Sequence, residues 1–239
     1  MKKIWNYFTT AEKLLWGTSV LCIVASFCIF DGKNYLTLVA SLVGVTSLVF
    51  NAKGNPAGQA LMIVFSILYG VISYSFDYYG EMATYLGMTL PMAVISLIAW
   101  LKNPFDKSQC EMRVNRISAK EQALMWTLSV AVTVAFYFVL DYFDTANIVP
   151  STVSVTTSFV AVYLTFRRSP YFALAYAAND IVLLLLWTLA TIENTEYASV
   201  IVCFASFLVN DLYGFVSWKK MEKRQNKTLA EQTMPDKVG

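Results

Sequence analysis

The sequence contains no histidine, and its four cysteines have no spacing typical of a metal site or a disulfide framework. It also lacks a glycine-rich phosphate loop and a nucleophile elbow, with which many enzymes bind nucleotides or attack carbonyl groups. These absences argue against a metalloenzyme, an ATP-driven pump and a hydrolase with a histidine base. We therefore predict a protein that is not an enzyme and that needs no cofactor and no metal.

Charged residues are scarce as well. They make up 14% of the chain, whereas hydrophobic residues make up 57%, and the mean hydropathy is +0.53. A soluble domain carries about a quarter charged residues, so this composition predicts a membrane protein. No small-residue cleavage site accompanies the first apolar stretch, and we expect no cleaved signal peptide.

Eight apolar stretches have lengths close to the ~20 residues that a helix needs to cross a bilayer. The spacing predicts eight helices, each with ends accurate to a few residues. In chain order, helices 1 to 8 are expected at residues 14–30, 35–52, 57–76, 82–101, 121–140, 148–166, 170–192 and 197–218.

The loops between these stretches alternate in charge. One set is basic and comprises the start of the chain, Lys53, residues 102–120, the pair Arg167 and Arg168, and the tail from Lys219. Lys and Arg accumulate in cytoplasmic loops, so both termini are predicted to be cytoplasmic. The other loops contain Lys33 as their one base, together with the acidic residues Asp31, Asp77, Glu81, Asp141, Asp144, Glu193 and Glu196.

The two halves of the chain repeat one another. Lys53-Gly-Asn-Pro56 joins helices 2 and 3, and Arg167-Arg-Ser-Pro170 joins helices 6 and 7. Each is a tight basic turn with Pro at the first helical position, where its missing N–H costs little. Helices 4 and 8 both end on a Trp followed by Lys, which marks the cytoplasmic interface in each case.

The expected fold class is an all-α membrane protein with eight transmembrane helices. Helices 2 and 6 both begin outside, so the two three-helix repeats are parallel, an arrangement found in transporters. We expect an extra N-terminal helix in residues 1–34, the first repeat in 35–101, a cytoplasmic loop and connector helix in 102–147, the second repeat in 148–218, and a disordered cytoplasmic tail in 219–239.

Polar residues inside the apolar stretches are candidates for a substrate site. A carboxylate within a membrane helix costs about 3 kcal/mol on insertion scales, so it normally faces a cavity or a partner. Helical spacing adds aromatic and small polar residues on the same faces. The candidate substrate-binding residues are Gln59, Ser66, Tyr69, Ser73, Tyr176, Asn179, Asp180, Trp187, Asn210 and Asp211.

Packing is the alternative interpretation for part of this set. Serine often forms hydrogen bonds between membrane helices, so Ser66 and Ser73 fit that role equally well, as does Ser206 on the same face of helix 8 as Asn210. Trp187 also fits an anchor at the outer interface. The adjacent polar pairs at 179–180 and 210–211 exceed what packing requires, which favours a functional role for them.

Such a site suits a ligand with a flat ring and several hydroxyl groups. Amides and carboxylates bind hydroxyls and base edges, and Tyr and Trp stack on rings. The absence of Lys and Arg from the membrane disfavours phosphorylated substrates. A non-transporting membrane scaffold or sensor is the alternative class, and it predicts that the inward polar residues are replaceable.

Two motifs resemble those of PnuC-type vitamin and nucleoside transporters. They are Asn51-Ala-Lys-Gly-Asn-Pro-Ala-Gly-Gln59 and Asn210-Asp-Leu-Tyr-Gly-Phe-Val-Ser-Trp218, and the resemblance covers residues 36–220. It implies a layout similar to SWEET sugar facilitators, a homotrimer in the bacterial plasma membrane, and facilitated diffusion. It also implies substrates such as nicotinamide riboside, thiamine, riboflavin or deoxyribonucleosides, trapped inside by a cytoplasmic kinase.

One departure from the family pattern affects the choice of substrate. Nicotinamide riboside carriers of this family typically have Trp-x-x-Trp-x-x-Asn in the helix corresponding to helix 7. Here Asn179 is preceded by Tyr176 and Ala173. Because a pyridinium cation gains most from Trp faces, the sequence favours deoxyribonucleosides, with nicotinamide riboside or another vitamin such as thiamine as the alternative.

Overall fold

The computed structural model describes residues 7–75, 79–106, 110–145, 147–193 and 195–233. Within these ranges, eight helices are long and apolar enough to cross a membrane, which confirms the predicted fold class. The helices are α1 (Thr10–Ser26, continued by a π-helical turn at Phe27–Asp31), α2 (Tyr35–Ala52), α3 (Ala57–Ser75), α4 (Tyr79–Leu101), α5 (Ala119–Tyr142), α6 (Ile148–Phe166), α7 (Phe172–Glu193) and α8 (Ala198–Thr233). Asp77, assigned above to an outer loop, lies outside the described residues.

The three-helix units α2–α4 and α6–α8 pack against each other, and α5 connects them. The contacts between units run from α8 to α2 and from α6 to α4. The additional helix α1 lies on α2 and α8. It begins at a capping box, in which the Thr9 hydroxyl accepts from the N–H of Glu12 and the Glu12 carboxylate accepts from the N–H of Thr9. Trp16 Nε1 donates to Thr46 Oγ1 at 3.1 Å, and Lys53 Nζ lies 3.2 Å from Glu12 Oε2.

We call the end of the molecule that carries the turns at 53–56 and 167–170 the basic end. The Trp residues that end helices 4 and 8, Trp100 and Trp218, lie at this end and are both fully buried within the protein. Trp100 Nε1 donates to the carbonyl of Thr165 at 2.9 Å, and Trp218 Nε1 donates to the carbonyl of Asn51 at 2.8 Å. Each indole thus adds a second donor to a carbonyl near the C-terminus of the first helix of the other unit, which also accepts from the N–H of Arg168 or Gly54 in the basic turn.

The loop between the units runs across both basic turns. Within this loop, the N–H of Met112 donates to the carbonyl of Gly54 at 3.1 Å, and the N–H of Asn115 donates to the carbonyl of Arg168 at 3.0 Å. Gly54 and Arg168 occupy equivalent positions and both have left-handed backbones, with φ of 65° and 58°. A short antiparallel pair, β1 (Pro104–Asp106) and β2 (Glu111–Met112), leads into this crossing.

The expectation of a disordered tail is wrong for residues 219–233, because α8 continues to Thr233. The loop supplies the partners that order this extension. Gln225 accepts from the N–H of Val114 at 2.9 Å and donates to the carbonyl of Met112 at 3.0 Å. Arg224 also forms an ion pair with Glu111. Residues 234–239 lie outside the described part of the chain.

Candidate functional site

The two candidate carboxylates of the second unit meet inside the bundle. Asp180 on α7 and Asp211 on α8 lie within hydrogen-bonding reach of one another. They are 3% and 4% exposed. A hydrogen bond between two carboxyl groups requires a proton on one of them, because an ionised carboxylate only accepts. Tyr176, one turn before Asp180, interacts electrostatically with both carboxyl groups.

The first unit faces this pair with tyrosines. Tyr85 on α4 is close enough to Asp180 to interact with its charge. The ring of Tyr85 lies 4.4 Å from that of Tyr69 on α3, measured between centroids. The carboxyl pair therefore lies at the junction of the two units, where a transporter with parallel repeats places its substrate.

Aromatic rings extend this junction. We call the group formed by Phe65, Tyr69, Tyr85, Phe204 and Phe207 the aromatic cluster. Phe65 lies 5.9 Å from Tyr85 and 5.6 Å from Phe207, and Tyr69 lies 6.0 Å from Phe204. The cluster joins α3 and α4 of the first unit to α8 of the second. Among its members the sequence analysis identified Tyr69 alone.

An irregular turn places Tyr85 in this cluster. Within α4, residues Tyr85–Thr89 form a π-helical turn, and Pro91 follows in the next turn. Pro91 has no N–H to donate to the carbonyl of Gly87, so the regular helical ladder is interrupted here. Such π-turns are frequent at functional sites. The spacing of Gly87 and Pro91 was the available sequence signal for a special position in this helix.

The loop charges predict that Glu81 lies in an outer loop, and this prediction is wrong. Helix α4 begins at Tyr79, and Glu81 is 5% exposed within its first turn. Its carboxylate interacts electrostatically with Tyr69 and Tyr85. In the described part of the chain, Glu81 Oε2 has no hydrogen-bond partner. The junction thus contains a third carboxyl group, contributed by the first unit.

Two candidates on α3 have partners within their own unit. Gln59 Nε2 donates to Asn51 Oδ1 at 2.9 Å, which joins α3 to α2 at the basic end. Ser66 Oγ donates to the carbonyl of Met62 at 2.8 Å. The same arrangement occurs on α8, where Ser206 donates to the carbonyl of Val202. Gln59 therefore joins two helices, whereas the hydroxyls of Ser66 and Ser206 bond within their own helices and not between helices.

The two candidate asparagines also connect helices. Asn179 Oδ1 accepts from Ser154 at 3.2 Å and from Thr157 at 2.8 Å, both on α6. Asn210 Nδ2 donates to Ser19 on α1 at 2.9 Å. The adjacent polar pairs are therefore divided, because in each pair Asp lies at the junction while Asn faces a neighbouring helix.

Trp187 and Ser73 lie further from the basic end, toward the other end of α7 and α3. Trp187 is 1% exposed, so the alternative of an interfacial anchor is wrong. Its ring lies 5.5 Å from that of Tyr197, and its indole contacts the hydroxyl of Tyr69. Ser73 is buried as well, and its hydroxyl has no partner among the described residues.

The candidate set is closed to solvent in this conformation. Nine of the ten residues are at most 5% exposed, and Tyr176 is partly exposed. Asp180 and Asp211 are therefore not accessible to a solute in this conformation. Transporters built from two repeats place their substrate site between the repeats and open it to one side of the membrane at a time.

Comparisons with known proteins agree with the fold in indicating a membrane transporter. The model of the family described as nicotinamide mononucleotide transporter matches residues 34–220. The nicotinamide riboside transporter PnuC of Neisseria mucosa is 26% identical over 227 residues, which cover 93% of this chain and 84% of that protein. The Haemophilus influenzae protein of the same name is 22% identical over 196 residues, covering 81% and 83%.

A solved structure is also similar. The crystal structure of the vitamin B3 transporter PnuC superposes with a TM-score of 0.80 at 23% identity, covering 92% of this chain and 97% of that one. At this identity the likeness establishes the fold alone. Because the family model matches well over half of the chain, this protein belongs to the nicotinamide mononucleotide transporter family, the PnuC family of multi-pass membrane transporters.

Proposed function

We propose that this protein carries nicotinamide riboside across the bacterial plasma membrane. The observation that supports this most directly is the carboxyl pair of Asp180 and Asp211 beside aromatic rings at the junction of the two units. Nicotinamide riboside combines a flat pyridinium cation with a sugar. Aromatic faces attract such a cation, and nearby carboxylates complement its charge.

The preference for deoxyribonucleosides is replaced by its alternative. It rested on Tyr176 and Ala173, which stand where family members that carry nicotinamide riboside have Trp. The aromatic cluster supplies other ring faces at the same junction. The similar proteins from Neisseria mucosa and Haemophilus influenzae are both named as nicotinamide riboside transporters.

The proposed substrate is the riboside and not the mononucleotide that the family description names. Helices α2, α3, α4, α6 and α7 contain no Lys or Arg. A phosphate group at the junction would lie beside Asp180 and Asp211 without a cationic side chain from these helices. Like charges in a site of low dielectric repel strongly. The unphosphorylated nucleoside avoids this cost.

Counterflow in proteoliposomes tests the substrate. Vesicles preloaded with unlabelled nicotinamide riboside should accumulate the labelled compound, and external nicotinamide riboside should compete better than thymidine or deoxyadenosine. Nicotinamide mononucleotide should compete weakly. Stronger competition by a deoxyribonucleoside would restore the earlier preference, whereas the absence of exchange with every solute would favour a scaffold or sensor.

The proposal includes facilitated diffusion by a homotrimer, followed by trapping through a cytoplasmic kinase, as the family resemblance implies. Exchange should then proceed without a proton or sodium gradient and without ATP. Accumulation driven by an imposed gradient would contradict this mechanism. Crosslinking of the protein in its native membrane should yield trimers.

Orientation is tested by cysteine labelling in a variant whose four native cysteines are replaced. With both termini in the cytoplasm, cysteines at Asp144 and Glu196 should react with an impermeant reagent from outside. Cysteines at Lys120 and Lys223, which belong to basic segments, should react only after the membrane is opened. Labelling of the Lys223→Cys variant in intact cells would show that the orientation is the opposite of the one proposed.

A further inference from the structure

A cleft of about 560 Å³ opens at the basic end, away from the junction of the units. The loop before α5, the first turns of α5, the turn before α7 and the middle of α8 form its walls. Polar side chains on these walls come from Asn115, Arg116, Gln122 and Lys219. The aromatic side chains of Trp126 and Tyr171 form its rim and are 56% and 50% exposed.

The cleft carries an excess of positive charge. Arg116 and Lys219 share one carboxylate, that of Glu222, with Lys219 Nζ at 2.6 Å from Glu222 Oε2. The side chain of Arg116 is 74% exposed. Lys219 Nζ also lies 5.2 Å from the centroid of the Tyr171 ring. One of the two positive charges therefore remains available to an anion at the mouth of the cleft.

An apolar groove of about 300 Å³ continues from the same two aromatic residues along the outside of the bundle. It runs between α5, α6 and α7, past Val160 and Leu174 to Ala178. From Tyr171 to Ala178 the groove follows α7 for about 10 Å at 1.5 Å per residue. Small side chains keep it open, and Leu174 is 44% exposed along it.

We propose that cleft and groove together bind one anionic phospholipid. The phosphodiester lies at Arg116 and Lys219, the hydrogen-bonding headgroup faces Asn115 and Gln122, and one acyl chain follows the groove. Trp126 and Tyr171 lie where the cleft meets the groove. This position matches the level of the lipid headgroups, where aromatic residues concentrate. Basic residues beside a membrane helix attract anionic lipids.

The continuity of the two cavities favours a lipid over other occupants. A free phosphate would use the basic cleft but not the apolar groove. A zwitterionic lipid would fill the groove without needing the surplus charge. A second copy of the chain would cover both cavities, but its binding would not depend on a phosphodiester group beside Lys219.

The test uses the full-length protein, purified in detergent and given phosphatidylglycerol, with lipid binding followed by native mass spectrometry and thermal stability. Phosphatidylglycerol should remain bound at one molecule per chain and raise the melting temperature by mass action. The double variant Arg116→Gln, Lys219→Gln should lose affinity by about tenfold or more, as expected for the loss of two basic residues at a membrane surface. Ala175→Phe, which fills the groove without changing the charge, should weaken binding as well.

Two controls separate binding from folding. Lys120→Gln, Lys223→Gln removes the same charge from exposed positions outside the cleft and should bind as the parent protein does. Arg116→Lys, Lys219→Arg preserves the charge and should retain the lipid. Equal retention of phosphatidylcholine, an equal thermal shift with inorganic phosphate, or unchanged binding by Ala175→Phe would each overturn the proposal. Dissociation of an oligomer by the charge variant, with lipid binding unchanged, would assign the cleft to a second copy and overturn it too.

Discussion

The two three-helix units are nearly alike at their basic ends and unlike at the junction between them. At the basic end, Trp100 and Trp218 donate to Thr165 and Asn51 of the opposite unit. Gly54 and Arg168 share a left-handed backbone and a hydrogen bond from the connecting loop. Each contact has its counterpart in the other unit.

The junction of the units shows no such correspondence. The second unit contributes the paired carboxyls of Asp180 and Asp211, whereas the first contributes Tyr69, Tyr85 and the single carboxylate of Glu81. The repeated contacts hold the two units together. The residues that differ between the units form the chemistry of the junction. This difference suits the proposed substrate, because nicotinamide riboside has a ring at one end and a sugar at the other.

The largest expected effect concerns the tryptophan contacts that the two units share. Trp100→Ala and Trp218→Ala should each lower the free energy of unfolding by about 3–5 kcal/mol, the usual cost of truncating a fully buried Trp. Because the two indoles make reciprocal contacts, the losses should be similar. Denaturant unfolding in detergent measures them, and Trp126→Ala, at an exposed position, is the control. A large loss for one variant alone would show that the contacts are not equivalent.

The next largest effect concerns the carboxyl pair, which the second unit alone contributes. Asp180→Asn and Asp211→Asn should each reduce uptake of nicotinamide riboside by about tenfold to a hundredfold, the value of a hydrogen bond to a charged group. Asn keeps the size of the side chain, so the folded state should survive. Asp141→Asn on the exposed face of α5 is the matched control. Normal transport by both variants would remove the carboxyl pair from the substrate site.

A smaller effect is expected where the loop meets α8. Gln225→Leu leaves the Val114 N–H and the Met112 carbonyl without their side-chain partner, which should cost about 1–3 kcal/mol. Limited proteolysis should then cut residues 219–233 faster. The neighbouring exposed residue provides the control, Asn226→Leu. Equal proteolysis of both variants would show that α8 does not need the loop for its order.

The smallest effects have opposite signs at the two equivalent turn positions. Arg168→Gly should stabilise the protein by about 1 kcal/mol, because Gly adopts a left-handed backbone without strain. Burial and the nearby Arg167 and Arg113 also lower the pKa of Arg168, so the charged form of its side chain is destabilised at this position. Gly54→Ala should destabilise, since its φ is 65° and the new Cβ would lie 3.1 Å from Met221 Cε. Thermal unfolding compares the two, and a shift of the same sign would contradict the equivalence of the turns.

Length, hydropathy and turn residues were sufficient to predict the eight helices and their grouping. Pro56 and Pro170 mark the turns because proline is favoured where a helix begins, and α3 and α7 begin at Ala57 and Phe172, just after them. A bilayer of constant thickness sets the length of each apolar stretch. Asp180 and Asp211 were identified for a similar reason, because a carboxylate inside an apolar helix requires a partner wherever the helix packs. These inferences depend on local chemistry and on the membrane.

The remaining features depend on which residues come together across the two units. The burial of Trp100 and Trp218, the inward position of Glu81 and the extension of α8 arise from partners distant in the chain, such as Thr165, Tyr85 and Met112. Asn179 and Asn210 face away from their neighbouring carboxylates because adjacent residues on a helix point in different directions. Helical periodicity specifies which residues share a face, whereas the packing of eight helices selects the neighbour that each face meets.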